Sequence, residues 1–364
     1  MVSKLSLRNI EKRYGNVIAL HPVSLEVEEG EFLTLLGPSG SGKTTILQIL
    51  AGLIDADGGE MLIGGKPAQH LPAWERDIGL VFQNYALFPH MTIEENLAFP
   101  LKMRRRPAAE IARRVQDVLE VVRLPDIALR FPSELSGGQQ QRIALARCAI
   151  YKPAIILMDE PLGALDKQLR DHMQIEVRRL HRELGATILY VTHDQDEAMA
   201  MSDRICLMNG GRIQQLGAPE DMYFSPNSLF SAQFFGISNV LPGTVAAIDG
   251  DAAIIDCGQI GRFRTDIRKE FPLATGRTVD LIVRPESGRL FIEAEVAKQS
   301  AENMMQVEVE EIVLSGSVRR HHLRAADGSA FVTTHLTSGD KGWLKPGEPA
   351  FVAWAARHCF AIPR

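Results

Sequence analysis

Eight residues constrain this chain more than any others. Gly37-Pro38-Ser39-Gly40-Ser41-Gly42-Lys43-Thr44 fit the pattern G-x-x-x-x-G-K-[ST]. The apolar run Phe32–Leu36 stands before them and a helical stretch, Thr45–Leu50, follows. Strand, glycine-rich loop and helix in that order let backbone N–H groups curl around a phosphate while the helix start adds partial positive charge. The spacing predicts that Lys43 reaches the β- and γ-phosphates of a nucleotide, with the Thr44 hydroxyl on Mg²⁺ and Thr45 opening the helix. A plain glycine-rich turn is the competing account. A chance match in a chain of this composition is roughly one or two per cent, and the strand–loop–helix context lowers it further. By itself the loop leaves kinase, switch, helicase and transport motor all open.

Around this loop the chain reads as two halves. Short apolar runs at Phe32–Leu36, Ile155–Met158 and Thr187–Val191 alternate with helical stripes such as Ile111, Val115, Val118, Leu119 and Val122, with Pro107 just ahead as a helix starter. That alternation predicts an α/β fold with a mostly parallel sheet over residues 1–235. From about Asn239 the pattern becomes short alternating pieces: Ala253–Cys257, Thr278–Val283, Met305–Leu314, Ala330–Thr334 and Pro349–Trp354. These predict a small all-β domain over 236–364, a barrel or sandwich. Gly217-Ala218-Pro219 and Ser225-Pro226-Asn227 read as turns between the halves.

Composition excludes several function classes. A net charge of −5 argues against a nucleic-acid partner. The four cysteines, at 148, 206, 257 and 359, have no close pair, so neither a zinc site nor a disulfide framework is expected. The opening Met-Val-Ser-Lys-Leu-Ser-Leu-Arg is too polar for a secretory leader. Nowhere do about 18 apolar residues run together, so no membrane-spanning helix is expected.

A second motif narrows the class: Leu135-Ser136-Gly137-Gly138-Gln139-Gln140-Gln141-Arg142. Ser136 and the glycines at a helix start offer a hydroxyl and bare N–H groups to an anion, although Ser-Gly-Gly also caps a helix well for its own sake. Downstream, the strand Ile155–Met158 ends in Asp159-Glu160; a carboxylate at a strand tip suits Mg²⁺, although the same pair serves a turn. Together these motifs closely resemble the ABC ATPases. The resemblance implies a P-loop NTPase of ABC type with a helical subdomain at about 84–152, followed by an OB-like, TOBE-type regulatory domain. It further implies that Asp159 serves Mg²⁺ and that Glu160 is the general base. His193 would contact the γ-phosphate, Gln83 would join Mg²⁺ and water to the transporter contact, and Tyr14 would stack on adenine. Asp166, in Ala164-Leu165-Asp166, matches the loop that meets the opposite protomer.

One phosphate loop and one signature per chain then imply a homodimer closing around two ATP molecules. Two membrane-spanning permease subunits, with an extracytoplasmic solute-binding protein beyond them, would complete an importer. The chain itself would sit at the cytoplasmic face of the inner membrane. Tyr85–Thr92 corresponds to the segment that receives a permease helix, where the aromatics either face outward or pack into the helical subdomain. The Arg104-Arg105-Arg106 run reads as a solvated turn. Val283-Arg284-Pro285-Glu286 resembles a signature stretch of the importers' regulatory β-domain, and Glu31–Leu36, Asn96–Leu101 and Leu180–Gly185 look most like spermidine/putrescine importer ATPases. Ferric-iron, sulfate and sugar importers share most of these motifs, and a soluble non-transport ABC ATPase is the rival class.

Overall fold

The computed structural model describes residues 3–163, 165–268, 271–294, 299, 301–337 and 344–364. Met1 and Val2 of the opening segment and Ala164, beside Leu165 and Asp166, lie outside the described residues. The chain divides into two compact units, Met1–Phe224 and Ser225–Arg364.

The first unit contains two sheets. β1 (Ser3–Tyr14), β2 (Val17–Glu28), β4 (Gly58–Ile63) and β5 (Lys66–Pro67) form an antiparallel sheet in the order β2-β1-β4-β5. β3 (Phe32–Leu36), β6 (Ile78–Val81), β7 (Ile155–Asp159), β8 (Ile188–Thr192), β9 (Arg204–Asn209) and β10 (Arg212–Gly217) form the other, in the order β10-β9-β3-β8-β7-β6. All its neighbours run parallel except the β9–β10 hairpin. β3 and β8 are buried at every residue, which is why they read as unbroken apolar runs and not as alternation.

α1 (Lys43–Ala51) carries Ile46, Leu47, Ile49 and Leu50 into the core between the two sheets. α2 (Ile93–Met103), α3 (Ala108–Val121) and α4 (Gly137–Ala149) share a second core with α5 (Lys167–Leu184) and with Phe32, Ile156 and Tyr190 of the parallel sheet. The expected stripe on α3 is buried at Ile111, Val115, Val118 and Leu119, with Val122 just past its end. Each such side chain contributes roughly 1.5–3 kcal/mol on burial. α6 (Gln195–Met201) follows β8. The segments read as turns at 217–219 and 225–227 lead into two short helices, α7 (Pro219–Phe224) and α8 (Leu229–Phe234). Pro219 stands at the first position of α7, where a missing N–H costs nothing.

Apart from α8, the second unit is built of strands, which among the described residues form two five-stranded sheets. Its strands are β11 (Asn239–Asp249), β12 (Ala252–Asp256), β13 (Arg262–Asp266), β14 (Thr278–Val283), β15 (Arg289–Phe291), β16 (Asn303–Ser315), β17 (Val318–Ala325), β18 (Ala330–Leu336), β19 (Pro349–Trp354) and β20 (Cys359–Pro363). They pair antiparallel in the orders β13-β12-β11-β14-β20 and β15-β19-β16-β17-β18. Both sheets give side chains to one core, in which Trp354 lies 4.9 Å from Phe263 and 5.9 Å from Phe331, ring centre to ring centre. Arg284 of the Val283–Glu286 stretch is buried and donates to the Ala232 carbonyl (2.8 Å) and the Ser238 hydroxyl (2.7 Å). It thereby fastens the end of α8 to β14. All four cysteines are buried and free.

Candidate nucleotide site

The Gly37–Thr44 loop joins β3 to α1, at the carboxyl edge of the parallel sheet where open α/β folds collect ligands. Lys43 curls back over the loop: its ammonium donates to the carbonyls of Gly37 (2.7 Å) and Pro38 (3.0 Å) and lies 3.4 Å from the Ser41 hydroxyl. Burial lowers its pKa, and Glu160 and Asp159 oppose that shift. Pro38, Ser39, Gly40 and Thr44 are exposed, whereas Gly37 and Ser41 are buried.

Gly42 shows why the loop demands glycine. It has φ +100° at the cap of α1, and a Cβ there would stand 2.6 Å from Leu20 Cδ2 and 3.0 Å from the Ala19 carbonyl oxygen. The third neighbour of that Cβ is Gly211, in the β9–β10 turn, whose N–H donates to the Ser41 carbonyl (3.2 Å) and whose own carbonyl accepts from the His21 N–H (3.0 Å). Three backbone segments, at 19–21, 37–43 and 208–211, thus meet around the loop.

β7 and β8 deliver the acids and the histidine alongside. Asp159 ends β7, and its pKa is raised by burial and by Glu160, against the pull of Lys43. Glu160 has φ +43°, an uncommon conformation for a residue with a Cβ. Its N–H donates to Val191 (3.0 Å), which locks the turn to β8. Its Oε1 lies 3.0 Å from His193 Nδ1. Nδ1 donates in that bond, which leaves Nε2 for a second partner. Gln83 follows β6, exposed, with Nε2 3.4 Å from the place a Cβ on Gly163 would occupy, beside the Glu160 turn. The structure therefore gathers Lys43, Asp159, Glu160, His193 and Gln83 on one edge of one sheet.

The remaining expected residues are built elsewhere. Ser136 caps α4: its Oγ accepts from the Gln139 N–H (3.4 Å) while Gln139 Oε1 accepts from the Ser136 N–H (2.9 Å). Gly137 and Gly138 abut α5 and the loop before it, through Leu165 (3.7 Å) and Met173 (2.8 Å) measured from where their Cβ atoms would be. Asp166 caps α5 by accepting from the Leu169 N–H (2.9 Å). Tyr14 ends β1 in the antiparallel sheet, 49% exposed, with the Lys12 ammonium 5.6 Å from its ring centre.

The segment after Gln83 is more packed than its composition suggests. Tyr85 is buried, Leu87 packs against the helical core, and Phe88 lies 4.8 Å from Phe99. Phe82, Pro89 and His90 face out. Asn96, wholly buried, holds the turn: it accepts from the Phe88 N–H (2.8 Å) and donates to the carbonyls of Phe88, Met91 and Thr92 (3.0–3.2 Å). The Arg104–Arg106 run is not simply solvated, because the Arg104 guanidinium stacks 3.6 Å from the centre of the Tyr151 ring. Arg170, Asp194 and Glu197, unmarked in the sequence, cluster beneath His193. Arg170 and Asp194 pair at 2.9 Å, and Glu197 is buried at 2% exposure. Charged residues spaced along amphipathic helices read as surface, so the pattern carried no sign of them.

Comparison with known proteins agrees with this architecture. The ABC transporter profile matches residues 20–163 and the TOBE domain profile matches 281–362. The spermidine/putrescine import ATP-binding protein PotA of Rubrobacter xylanophilus is 44% identical over 356 residues, covering 98% of this chain and 93% of its own. Its namesakes from Marinobacter nauticus (42% over 353 residues; 96% and 92%) and Thermobifida fusca (41% over 367 residues; 100% and 94%) align as fully. With the phosphate loop inside one matched profile, the C-terminal part of the β-rich unit under the other, and relatives aligned nearly end to end, the chain belongs to the ABC transporter ATP-binding proteins.

Proposed function

We propose that this chain hydrolyses ATP to power polyamine import, two copies closing around two ATP molecules and driving a membrane-embedded permease as they reopen. One observation carries the paired mechanism: the phosphate loop and acids lie on the sheet edge, whereas the Ser136–Gln139 turn is built separately on α4, beside the loop bearing Asp166. A chain with one copy of each half reaches two complete sites only by pairing symmetrically.

In this reading the Gly37–Thr45 backbone and Lys43 hold the β- and γ-phosphates, and Tyr14 stacks on adenine. Ser136, Gly137, Gly138, Gln139 and Asp166 reach across from the second copy. Glu160 takes a proton from the attacking water, and His193, oriented by its 3.0 Å contact with Glu160, touches the γ-phosphate. The donor set of Thr44 hydroxyl, Asp159 carboxylate and Gln83 amide oxygen is all hard oxygen, which fits Mg²⁺. Burial first, and then Glu160, disfavour the charge of Asp159, which a bound cation would favour. Held by these residues, Mg²⁺ would supply positive charge that offsets that of the phosphates.

No described helix is long and apolar enough to cross a membrane. The reading accordingly puts the spans in two permease subunits, the chain at their cytoplasmic face, and a solute-binding protein on the far side. The polyamine assignment rests on the three relatives above, each named for spermidine/putrescine import and each matched over at least 96% of this chain. Glu160→Gln protein should dimerise with saturating MgATP, read by light scattering; a persistent monomer refutes the paired mechanism. In the assembled complex with its binding protein, spermidine or putrescine should stimulate ATPase activity. Stimulation by sulfate or a sugar alone overturns the cargo.

A further inference from the structure

We infer that Arg170 is a positioning residue that ties the turn bearing His193 to the loop bearing Asp166. The inference rests on the site reading just given, in which His193 meets the γ-phosphate and Asp166 faces the second copy.

Arg170 lies in the first turn of α5, with its guanidinium between two acceptors and a third carboxylate at ion-pair distance. Nη2 donates to the Leu165 carbonyl (3.0 Å), one residue before Asp166. Nη1 pairs with Asp194 Oδ2 (2.9 Å), one residue after His193. Nε stands 3.7 Å from the buried Glu197 Oε1. The His193 turn is braced from the other side as well. Thr192 Oγ1 accepts from the Asp194 N–H (3.0 Å) and donates to Glu197 (2.7 Å), which also accepts from the Tyr190 hydroxyl (2.8 Å). Asp194 meanwhile caps α6, accepting from the N–H groups of Asp196 (2.8 Å) and Glu197 (3.1 Å).

A plain surface ion pair gluing α5 to α6 is the simpler account, and such pairs add little to stability. That account needs only one acceptor. Here a planar fork joins a loop carbonyl to the Asp194 carboxylate at the cap of α6 and keeps Nε beside Glu197 of the same helix, a geometry that lysine does not reproduce. A movement of Asp166 at the dimer contact displaces the Leu165 carbonyl, and through the guanidinium it shifts Asp194 and His193. Closure of the second copy would thereby set the histidine.

The test is steady-state MgATP hydrolysis by the full-length chain, within its assembled transporter where turnover of the chain alone is too slow to follow. Arg170→Ala and Arg170→Lys should each lower kcat roughly ten- to a hundredfold with KM for ATP changed less than about twofold, the signature of misplacement and not of lost binding. Because Arg170 acts through His193, adding Arg170→Ala to His193→Ala should cost nothing further. Asp194→Asn keeps the α6 cap but loses the ion pair, so it should show the same kcat loss with unchanged melting and carries the test if Arg170→Ala does not fold. Wild-type kcat in these variants, or losses that multiply with His193→Ala, would overturn the inference. Full kcat in His193→Ala itself would remove the site reading, and this proposal with it.

Discussion

Gly42 and Gly40 stand two residues apart in the same loop and should respond very differently to an added methyl group. Both have positive φ, +100° and +77°. Around Gly40 there is open space, so Gly40→Ala pays only for a left-handed backbone, about 1–2 kcal/mol. At Gly42 the backbone strain of about 1–3 kcal/mol is joined by collision with the fully buried Leu20 and the Ala19 carbonyl, an overpacking cost of about 1–3 kcal/mol. The sum centres near 4 kcal/mol. In a unit of this size each kcal/mol moves the melting temperature by about 2–4 °C. Gly42→Ala should therefore melt roughly 8–16 °C lower in its first transition, and Gly40→Ala roughly 2–8 °C lower. Differential scanning calorimetry with and without ATP reads both effects, and ATP should rescue Gly40→Ala more than Gly42→Ala. If the two variants lost equal stability, the packing argument for Gly42 would be wrong.

Asn96→Ala should loosen the turn after Gln83, since it strands the Phe88 N–H and takes the side-chain donor from the carbonyls of Phe88, Met91 and Thr92, of which Phe88 and Thr92 keep backbone partners. At about 2–3 kcal/mol, amide exchange across 85–92 should accelerate roughly a hundredfold while α1 stays protected; unchanged exchange there refutes the role. In the β-rich unit, burial first, then His335 and Arg319, hold the His321 pKa down from 6.5 to about 4. As pH falls through 6.5 the unfolded chain takes this proton and the folded chain does not, so stability present at neutral pH is lost on acidification, by about 2 kcal/mol near pH 5. Urea unfolding of the C-terminal transition at about pH 7 and pH 5 should show this loss in the wild type and a flatter response in His321→Gln. Parallel slopes would rule the residue out.

Strands whose apolar runs end at turn residues were legible in the sequence to the residue: Phe32–Leu36, Thr278–Val283 and Pro349–Trp354 are the observed β3, β14 and β19. The long β1–β2 hairpin was not, because register shifts between Leu7 and Ile10, and again before Lys12 and Arg13, break the alternation that marks a strand. The phosphate loop was readable because its chemistry is local in the chain. Arg170 was hidden for the opposite reason: its partners come from positions 165, 194 and 197, and nothing in a helical Leu-Arg-Asp sequence announces them. The buried Glu197 was equally silent, since a carboxylate after a strand reads as solvent-facing until Tyr190 and Thr192 are seen to satisfy it.

The turn at Gly210–Gly211 looks like the place where a protein engineer would splice in a tag or reopen the chain. It is a two-residue hairpin connection with φ +53° and +71°, and in the chain it is far from the phosphate loop. Such tips ordinarily accept insertions without complaint. This one is pinned on both sides, by the Ser41 carbonyl and the His21 amide, and forms part of the wall against which the phosphate loop is moulded. A graft there would reach the nucleotide before it disturbed the hairpin, so new termini and fusions belong at other exposed turns of this unit.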